Sequence, residues 1–162
     1  MQPNASADAG DAAETFLLEA FLPYELSIAA NRASRLFARR YSEAFGLSIP
    51  EWRVMAVVGR FGTLSPGGVA ERTEMDKVKV SRAVASLSAA GLIEQQANPR
   101  DGRVRLLRLT PQGRTVHAGI VPLARTLEAQ LAAGLTGEEW SALRHCLRKL
   151  YAHARRLEAA DE

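Results

Sequence analysis

The spacing of apolar residues predicts a long helix over residues 24–45. These residues are three and four positions apart, which places them on one helical face; they are Leu26, Ala30, Ala33, Phe37, Tyr41 and Ala44. Gly46 follows directly, where glycine often ends a helix in the left-handed conformation. The opposite face carries Arg32, Arg35, Arg39 and Arg40. We expect a short helix over residues 14–21 before it, separated from it by Pro23.

The segment "SIPEW" predicts the start of a second helix. Ser48 and Glu51 have the spacing of a capping box, in which two side chains satisfy free N–H groups at the helix start. The inward positions are predicted to be Trp52, Met55 and Val58. Gly59 and Gly62 are expected to bracket the end of this helix.

Two short helices joined by a tight turn are predicted over residues 65–91. Ser65 is expected to cap the first helix and Asp76 the second, with the turn at residues 73–75. The inward positions of the second helix are predicted to be Val80, Val84 and Leu87. This arrangement is typical of a helix-turn-helix, in which the second helix is the recognition helix.

A β-hairpin is predicted directly after these helices. Residues 92–96 form one strand, residues 97–102 the turn and residues 103–109 the return strand. A hairpin in this position is a wing, whose tip is held near the backbone of a nucleic-acid duplex. Arginine at such a tip can enter the narrow minor groove, where the negative potential is enhanced. Gly102 at the tip permits a positive φ, which a tight turn often requires.

Two further amphipathic helices are predicted at the end of the chain. The first is capped by Thr110 and runs to about Gly134, and the second starts with a capping box of Thr136 and Glu139. The apolar stripe of the second helix is Trp140, Leu143, Leu147, Leu150, Tyr151 and Leu157. A single small domain does not need long amphipathic helices at both ends. They can bury their apolar faces across a two-fold axis, which predicts a homodimer.

Charge is distributed unevenly along the chain. The formal net charge is only +3. Residues 1–26 contain five acidic residues and no Lys or Arg, whereas residues 72–114 contain nine Lys or Arg against four acidic residues. A basic middle indicates an anionic partner for that segment, although a solvated surface has the same composition.

Several classes of protein are not favoured. The only cysteine, Cys146, excludes an internal disulfide and a cysteine-cluster metal site. No apolar run approaches the roughly 18 residues of a membrane helix. Residues 1–13 are acidic and polar, so we expect a disordered tail rather than a targeting peptide. We expect a reduced, cytoplasmic protein with no cofactor and no membrane partner.

The segments "IPEWRVMAVV", "LSPGGVAERTEMDKVKVSRAVASLSAAGLI" and "NPRDGRVRLLRLTPQG", in this order and spacing, resemble the MarR family of winged-helix transcriptional regulators. The resemblance covers about residues 24–157. Its most specific marks are the pair Ser81 and Arg82, the sequence Asp101-Gly102-Arg103, and the "LTPQG" that follows. Gly68 is a departure from the family pattern, because these helices more often have a good helix former there.

The resemblance implies a mainly α fold with a small β-hairpin wing. Residues 14–46 and 111–158 would be dimerisation helices, and residues 47–110 the winged helix-turn-helix domain. It also implies a homodimer that binds a pseudo-palindromic double-stranded operator, usually as a repressor relieved by a small molecule. In the family pattern the wing aspartate, here Asp101, orients the wing arginine, here Arg103, for the minor groove.

Seven residues are candidate DNA contacts. Four lie on the recognition helix and three on the wing; they are Lys77, Lys79, Ser81, Arg82, Arg100, Asp101 and Arg103. The alternative for the four helix residues is a solvated helix face. Lysine serves phosphate or guanine equally well, and the sequence does not distinguish the two.

The family resemblance implies a ligand site between the dimerisation helices and the winged domain. There Trp52 would supply an aromatic wall, and Arg35 and Arg39 cationic anchors. The same arginines would serve equally well in salt bridges between subunits. A small aromatic acid or its coenzyme A thioester is the expected effector.

The sequence gives weaker support to other functions. Cys146 could make the protein a redox-sensing regulator, but it lies in the last helix beside Leu147, a setting typical of a buried thiol. His117, His145 and His153 show no metal-ligand spacing. No paired carboxylates, Ser-His-Asp set or phosphate loop indicate an enzyme. A winged-helix protein-interaction module without DNA binding is a further alternative, which the basic wing disfavours.

Overall fold

A computed structural model of the chain describes residues 16–160. A 3-10 turn over Leu18–Ala20 precedes the regular elements. These are α1 (Leu22–Phe45), α2 (Ile49–Phe61), α3 (Pro66–Thr73), α4 (Lys77–Ala89), β1 (Ile93–Asn98), β2 (Asp101–Leu109), α5 (Pro111–Ala132) and α6 (Gly137–Glu158). The mainly α fold with a hairpin wing is confirmed. The acidic tail expected at residues 1–13 lies outside the described residues, as does the start of the short helix expected at residues 14–21. The described part of that short helix is the 3-10 turn.

Most helix ends lie at or near the residues that the sequence signals indicate, although α1 begins at Leu22 and includes Pro23 in its first turn. The Ser48 N–H donates to the Glu51 carboxylate at 2.7 Å, and Ser65 Oγ accepts from the Gly68 N–H at 3.0 Å. Gly46 ends α1 with a φ of +67°. Gly59 was expected to bracket the end of α2, but it lies inside that helix, which continues to Phe61. These local hydrogen bonds fix the helix boundaries independently of long-range packing.

The core of the winged domain lies around α2, which contacts α1, α3, α4, α5 and β2. Its most deeply buried side chains include Val54, Met55, Val58, Val80, Leu87 and Leu107. The turn between α3 and α4 passes through Glu74, whose φ of +52° is unusual for a residue other than glycine. The helix-turn-helix and the predicted inward face of its second helix are confirmed.

The wing is an antiparallel hairpin in which Ile93 pairs with Leu109 and Gln95 with Leu107. Leu64 adds a single bridge to the other edge of β2, exchanging hydrogen bonds with Leu107 at 3.1 and 2.7 Å. The tip is tighter than the predicted turn at residues 97–102, because β1 reaches Asn98 and β2 begins at Asp101. Gly102 does not adopt the positive φ that glycine permits, since that residue lies in β2 outside the left-handed region.

A compact joint connects the wing to α5. Thr110 Oγ1 donates to the Gly91 carbonyl at 2.6 Å and accepts from the Gly113 N–H at 3.0 Å. Gly113 is buried against the Leu92 carbonyl, and a Cβ at this position would lie 2.0 Å from that oxygen. The start of α5 is therefore held directly against the backbone that leads into β1.

The apolar stripe of α6 is exposed in the single chain. No residue of this helix is buried, and Leu143, Leu147 and Leu150 are 41–42% exposed. Tyr151 donates to the Glu74 carboxylate at 2.7 Å, which joins α6 to the turn before α4 and raises the pKa of Tyr151. Among residues 16–160, no helix combines the length and apolar character that a bilayer-spanning segment needs.

Candidate nucleic-acid interface and adjoining cavity

Helix α4 has one buried side and one exposed side. The buried residues are Val80, Ala83, Val84 and Leu87. The exposed residues opposite them are Val78, Ser81, Arg82 and Ala85. Successive residues turn by about 100° around a helix axis, so Lys77 and Lys79 lie on the two flanks of the exposed side. Two of the four predicted contacts thus share the outward face, and the two lysines border it.

The start of α4 is fixed by Asp76. The Asp76 carboxylate accepts from the backbone N–H of Lys79 at 2.7 Å, and the Lys79 ammonium lies 3.1 Å from the same carboxylate. These contacts hold the pKa of Asp76 below its ordinary value. Asp76 is therefore ionised at neutral pH, where it caps the helix and holds the Lys79 side chain beside its first turn.

Glu51, in the first turn of α2, lies close to α4. Burial raises the pKa of Glu51, but hydrogen bonds from Ser86 and Ser48 outweigh that effect, so its pKa lies below the ordinary value. Lys79 and Arg82 lie near Glu51, and they line a shallow groove of about 280 Å³ next to the start of α2.

The hairpin tip is held by two hydrogen bonds from backbone to side chain. Asn98 Oδ1 accepts from the Arg100 N–H, and Asp101 Oδ1 accepts from the Arg103 N–H, each at 3.0 Å. The Asp101 carboxylate thus bonds the backbone of Arg103, whereas the resemblance implied that it orients the guanidinium. The side chains of Arg100 and Arg103 are both exposed.

The basic residues farther along β2 differ in their surroundings. Arg105 is exposed. Arg108 forms an ion pair with Glu94 across the base of the hairpin. The exposed positive charge of the wing is therefore concentrated toward its tip.

A cavity of about 720 Å³ lies between α1, α2, α5 and the start of α6. Trp52 and Tyr41 form one wall, with ring centroids 4.9 Å apart. Burial raises the pKa of Tyr41, so its hydroxyl is neutral at pH 7. The Trp52 Nε1 is buried and has no hydrogen-bond partner among the described residues. A buried N–H without a partner costs free energy.

The basic side chains that line this cavity differ from those that the sequence indicated. The lining includes Arg60, His117 and Arg125. Arg35 and Arg39 do not line it, and Arg39 instead pairs with Glu43 at 2.9 Å. Trp52 lies beside this cavity, whereas Arg35 and Arg39, the expected anchors, lie outside its lining in the single chain. The role of these three residues in ligand binding stays a prediction.

The spacing of the α5 residues could have indicated this wall. His117, Ile120, Val121, Ala124, Glu128 and Leu131 recur three and four positions apart along one face of α5, and all of them line the cavity. Trp140 adds a lining residue from α6, and Glu128 pairs with Arg144 of α6 at 3.1 Å. Cys146, the candidate redox residue, lies on α6 and is exposed in this chain.

Comparison with known proteins gives consistent results. A family model described as the MarR family matches residues 45–104, which contain the helix-turn-helix and most of the wing. The transcriptional regulator HosA of Escherichia coli O111:H- is 24% identical over 113 residues, covering 70% of this chain and 84% of HosA.

Solved structures extend the similarity beyond the winged domain. A probable transcriptional regulator from Pseudomonas aeruginosa is 30% identical with a TM-score of 0.74, over 83% of this chain and 99% of that one. BpsR of Bordetella bronchiseptica, whose DNA binding is regulated by 6-hydroxynicotinic acid, is 25% identical with a TM-score of 0.77, over 84% of this chain and 96% of that one.

The helix-turn-helix, the basic wing and these similarities identify a DNA-binding regulator rather than an enzyme. They favour DNA binding over the alternative of an interaction module that does not bind DNA. The chain belongs to the MarR family of winged helix-turn-helix transcriptional regulators.

Proposed function

We propose that this regulator is a homodimeric repressor that leaves a pseudo-palindromic operator when a small aromatic acid, or its coenzyme A thioester, binds between α2 and α5. The observation that carries the proposal is a cavity lined mainly by apolar and aromatic side chains, Trp52 among them, with Arg60 and Arg125 in its lining. Such a site suits a flat ring bearing an anionic acceptor.

The exposed helices at the two ends of the chain support the homodimer. Large apolar side chains on α1 and α6 are 38–56% exposed, including Leu22, Tyr24, Ile28, Leu36, Leu150 and Leu157. Burial of these side chains against a second copy would remove a large apolar area from water. With two copies related by a two-fold axis, the two α4 helices should sit about 10 bp apart, centre to centre.

The dimer can be tested at the centre of the α6 stripe. We expect the parent protein to be a dimer at micromolar concentration, and Leu147→Glu to raise its dissociation constant on the order of 100-fold, because an unpaired buried charge costs several kcal/mol. Arg148→Ala, one residue farther along the exposed helix, serves as the control and should remain dimeric. Light scattering distinguishes the two masses, and a monomeric parent would contradict the proposal.

The seven candidate DNA contacts fit the proposed function as two groups. Ser81 and Arg82 on the outward face of α4 would meet base edges, and Lys77 and Lys79 on its flanks would meet phosphates. Arg100 and Arg103 at the hairpin tip would meet the neighbouring minor groove, with Asp101 holding the tip backbone.

The cavity supports an anionic aromatic effector. Its walls carry mostly apolar and aromatic side chains, and Arg60 and Arg125 add positive charge. The acidic residue in the lining, Glu128, is paired with Arg144. The similarity to BpsR, which responds to an aromatic acid, favours the same class of compound here. Because the cavity lies between α1, α5 and the winged domain, a ligand there would shift the domain relative to the dimer helices.

Trp52→Phe tests the effector site, because it keeps an aromatic ring but makes the wall that Trp52 gives the cavity smaller. We expect about fivefold weaker effector binding, because the phenyl ring buries less apolar surface against a ligand, at about 25 cal/mol per Å². Operator affinity without effector should not change. Fluorescence anisotropy of a labelled operator would be titrated with benzoate, hydroxybenzoates, 6-hydroxynicotinate and benzoyl-coenzyme A.

Two further variants give this experiment a matched comparison. Arg125→Ala should weaken the response, because Arg125 lines the cavity. Arg35→Ala should leave it intact, because Arg35 lies outside the cavity lining. A panel in which no compound changes the operator affinity of the parent protein would refute the aromatic-acid effector.

A further inference from the structure

Val78 occupies an unusual place for an apolar side chain. It lies in the first turn of α4 and is 58% exposed. At about 100° per residue, it points directly away from the centre of the buried face of α4. Arg82 and Ala85 lie on either side of this outward direction, and all three are exposed.

The winged domain contains few comparable side chains. Between residues 47 and 110, the exposed large apolar residues are Phe61 and Val78. Phe61 is 54% exposed and has the guanidinium groups of Arg60 and Arg72 beside its ring, 5.6 and 5.0 Å from the centroid. Val78 has Lys77 and Lys79 on the flanks of the helix and no cation over it in the described residues. Val78 therefore offers exposed apolar surface at the centre of the outward face of α4.

We propose that Val78 contacts the 5-methyl group of a thymine in each operator half-site and thereby selects thymine at that position. The inference rests on the proposed function, in which the outward face of α4 lies in the major groove. Thymine is the only standard base that presents a methyl group there. An isopropyl group forms no hydrogen bonds, so Val78 distinguishes bases only by the apolar surface that they offer.

The neighbouring residues position this contact. The N-terminal residues of a recognition helix are those that approach base edges, and Val78 is the second residue of α4. Lys77 and Lys79 flank it on opposite sides, where each faces a wall of the groove. Phosphate contacts by the two lysines would bring Val78 toward the floor of the groove, with Arg82 one turn farther along.

The test removes single methyl groups from the DNA. An operator is first selected from a random duplex pool with the parent protein. Each thymine is then replaced symmetrically by deoxyuridine, which keeps every hydrogen-bonding group and lacks the methyl. We expect one thymine position whose replacement weakens binding about fourfold per half-site, from roughly 0.8 kcal/mol per buried carbon, and about fifteenfold for both half-sites.

Val78→Ala completes a double-mutant cycle with this replacement. The variant should bind the thymine operator and the deoxyuridine operator equally, because the partner of the methyl is gone. It should fold normally, since Val78 is exposed, and circular dichroism checks this. Val78→Thr keeps the shape of the side chain but replaces one methyl with a hydroxyl, and it should retain part of the discrimination.

Two outcomes would overturn the inference. One is that no thymine position is sensitive to deoxyuridine; the other is that Val78→Ala weakens both operators by the same factor. Arg82→Ala, measured alongside, distinguishes these failures from a failure of the proposed interface. If Arg82→Ala weakens binding and Val78 shows no coupling, only the thymine contact is refuted. If neither variant changes operator affinity, the outward face of α4 does not bind DNA.

Discussion

Arg103→Ala is expected to weaken operator binding by about 1–3 kcal/mol for each half-site and to lower the salt dependence by about one unit for each wing. Arg103 is exposed next to the hairpin tip, and its backbone is fixed by Asp101. A guanidinium group in the minor groove has both a charge and a planar shape that fits the narrow groove. Operator affinity at several salt concentrations measures both effects.

Two substitutions separate charge from shape in this experiment. Arg103→Lys should retain the salt dependence and lose part of the affinity, because lysine has the charge without the planar fork. Arg108→Ala is the matched control, since Arg108 is paired with Glu94 at the base of the hairpin. If folded Arg103→Ala binds operator like the parent at every salt concentration, the wing does not touch DNA.

Gly113→Ala is expected to destabilise the fold by about 3 kcal/mol, the upper end for overpacking of a core. The added Cβ would lie 2.0 Å from the Leu92 carbonyl oxygen, and backbone at this joint cannot move aside as a flexible side chain does. The start of α5 would have to separate from the Leu92 backbone, which leads into β1. The melting temperature should fall by roughly 6–12 °C, at about 2–4 °C per kcal/mol for a chain of this size.

Gly137→Ala is the control for this prediction. Gly137 begins α6, and an added Cβ there would meet no atom within 4 Å. This variant should be as stable as the parent in thermal unfolding followed by circular dichroism. Equal melting temperatures for Gly113→Ala and the parent would show that the joint between β1 and α5 adapts without cost.

Local signals explain why the helix boundaries were predictable. The caps at Ser48, Ser65 and Asp76 and the stop at Gly46 act within one helical turn, so the sequence contains the whole interaction. The bridge between Leu64 and Leu107 was not predicted, because it joins residues far apart in the chain. The predicted turn at the hairpin tip was too long, because the register there depends on the side chains of Asn98 and Asp101, which accept hydrogen bonds from the backbone.

The outward face of α4 was predictable from the sequence, whereas the lining of the cavity was not. The exposed positions of α4 follow from helical periodicity, which a sequence shows directly. The cavity depends on how α5 packs against α2, where Gly59 leaves room for the His117 ring. A Cβ at Gly59 would lie 2.3 Å from that ring, so the absence of a side chain there lets His117 approach α2. Arg35 was favoured for its charge and its place on the first long helix, and periodicity does not show which helix covers which face.

The two hydrogen bonds at the hairpin tip have a consequence for the conformational entropy of binding. Fixing the backbone of one residue costs roughly 1–2 kcal/mol in entropy. Asn98 and Asp101 accept from the N–H groups of Arg100 and Arg103 in the free protein, so folding has already ordered this segment. DNA binding then does not include the entropic cost of ordering a flexible hairpin tip. A residue that touches no ligand can in this way increase the affinity of its neighbour.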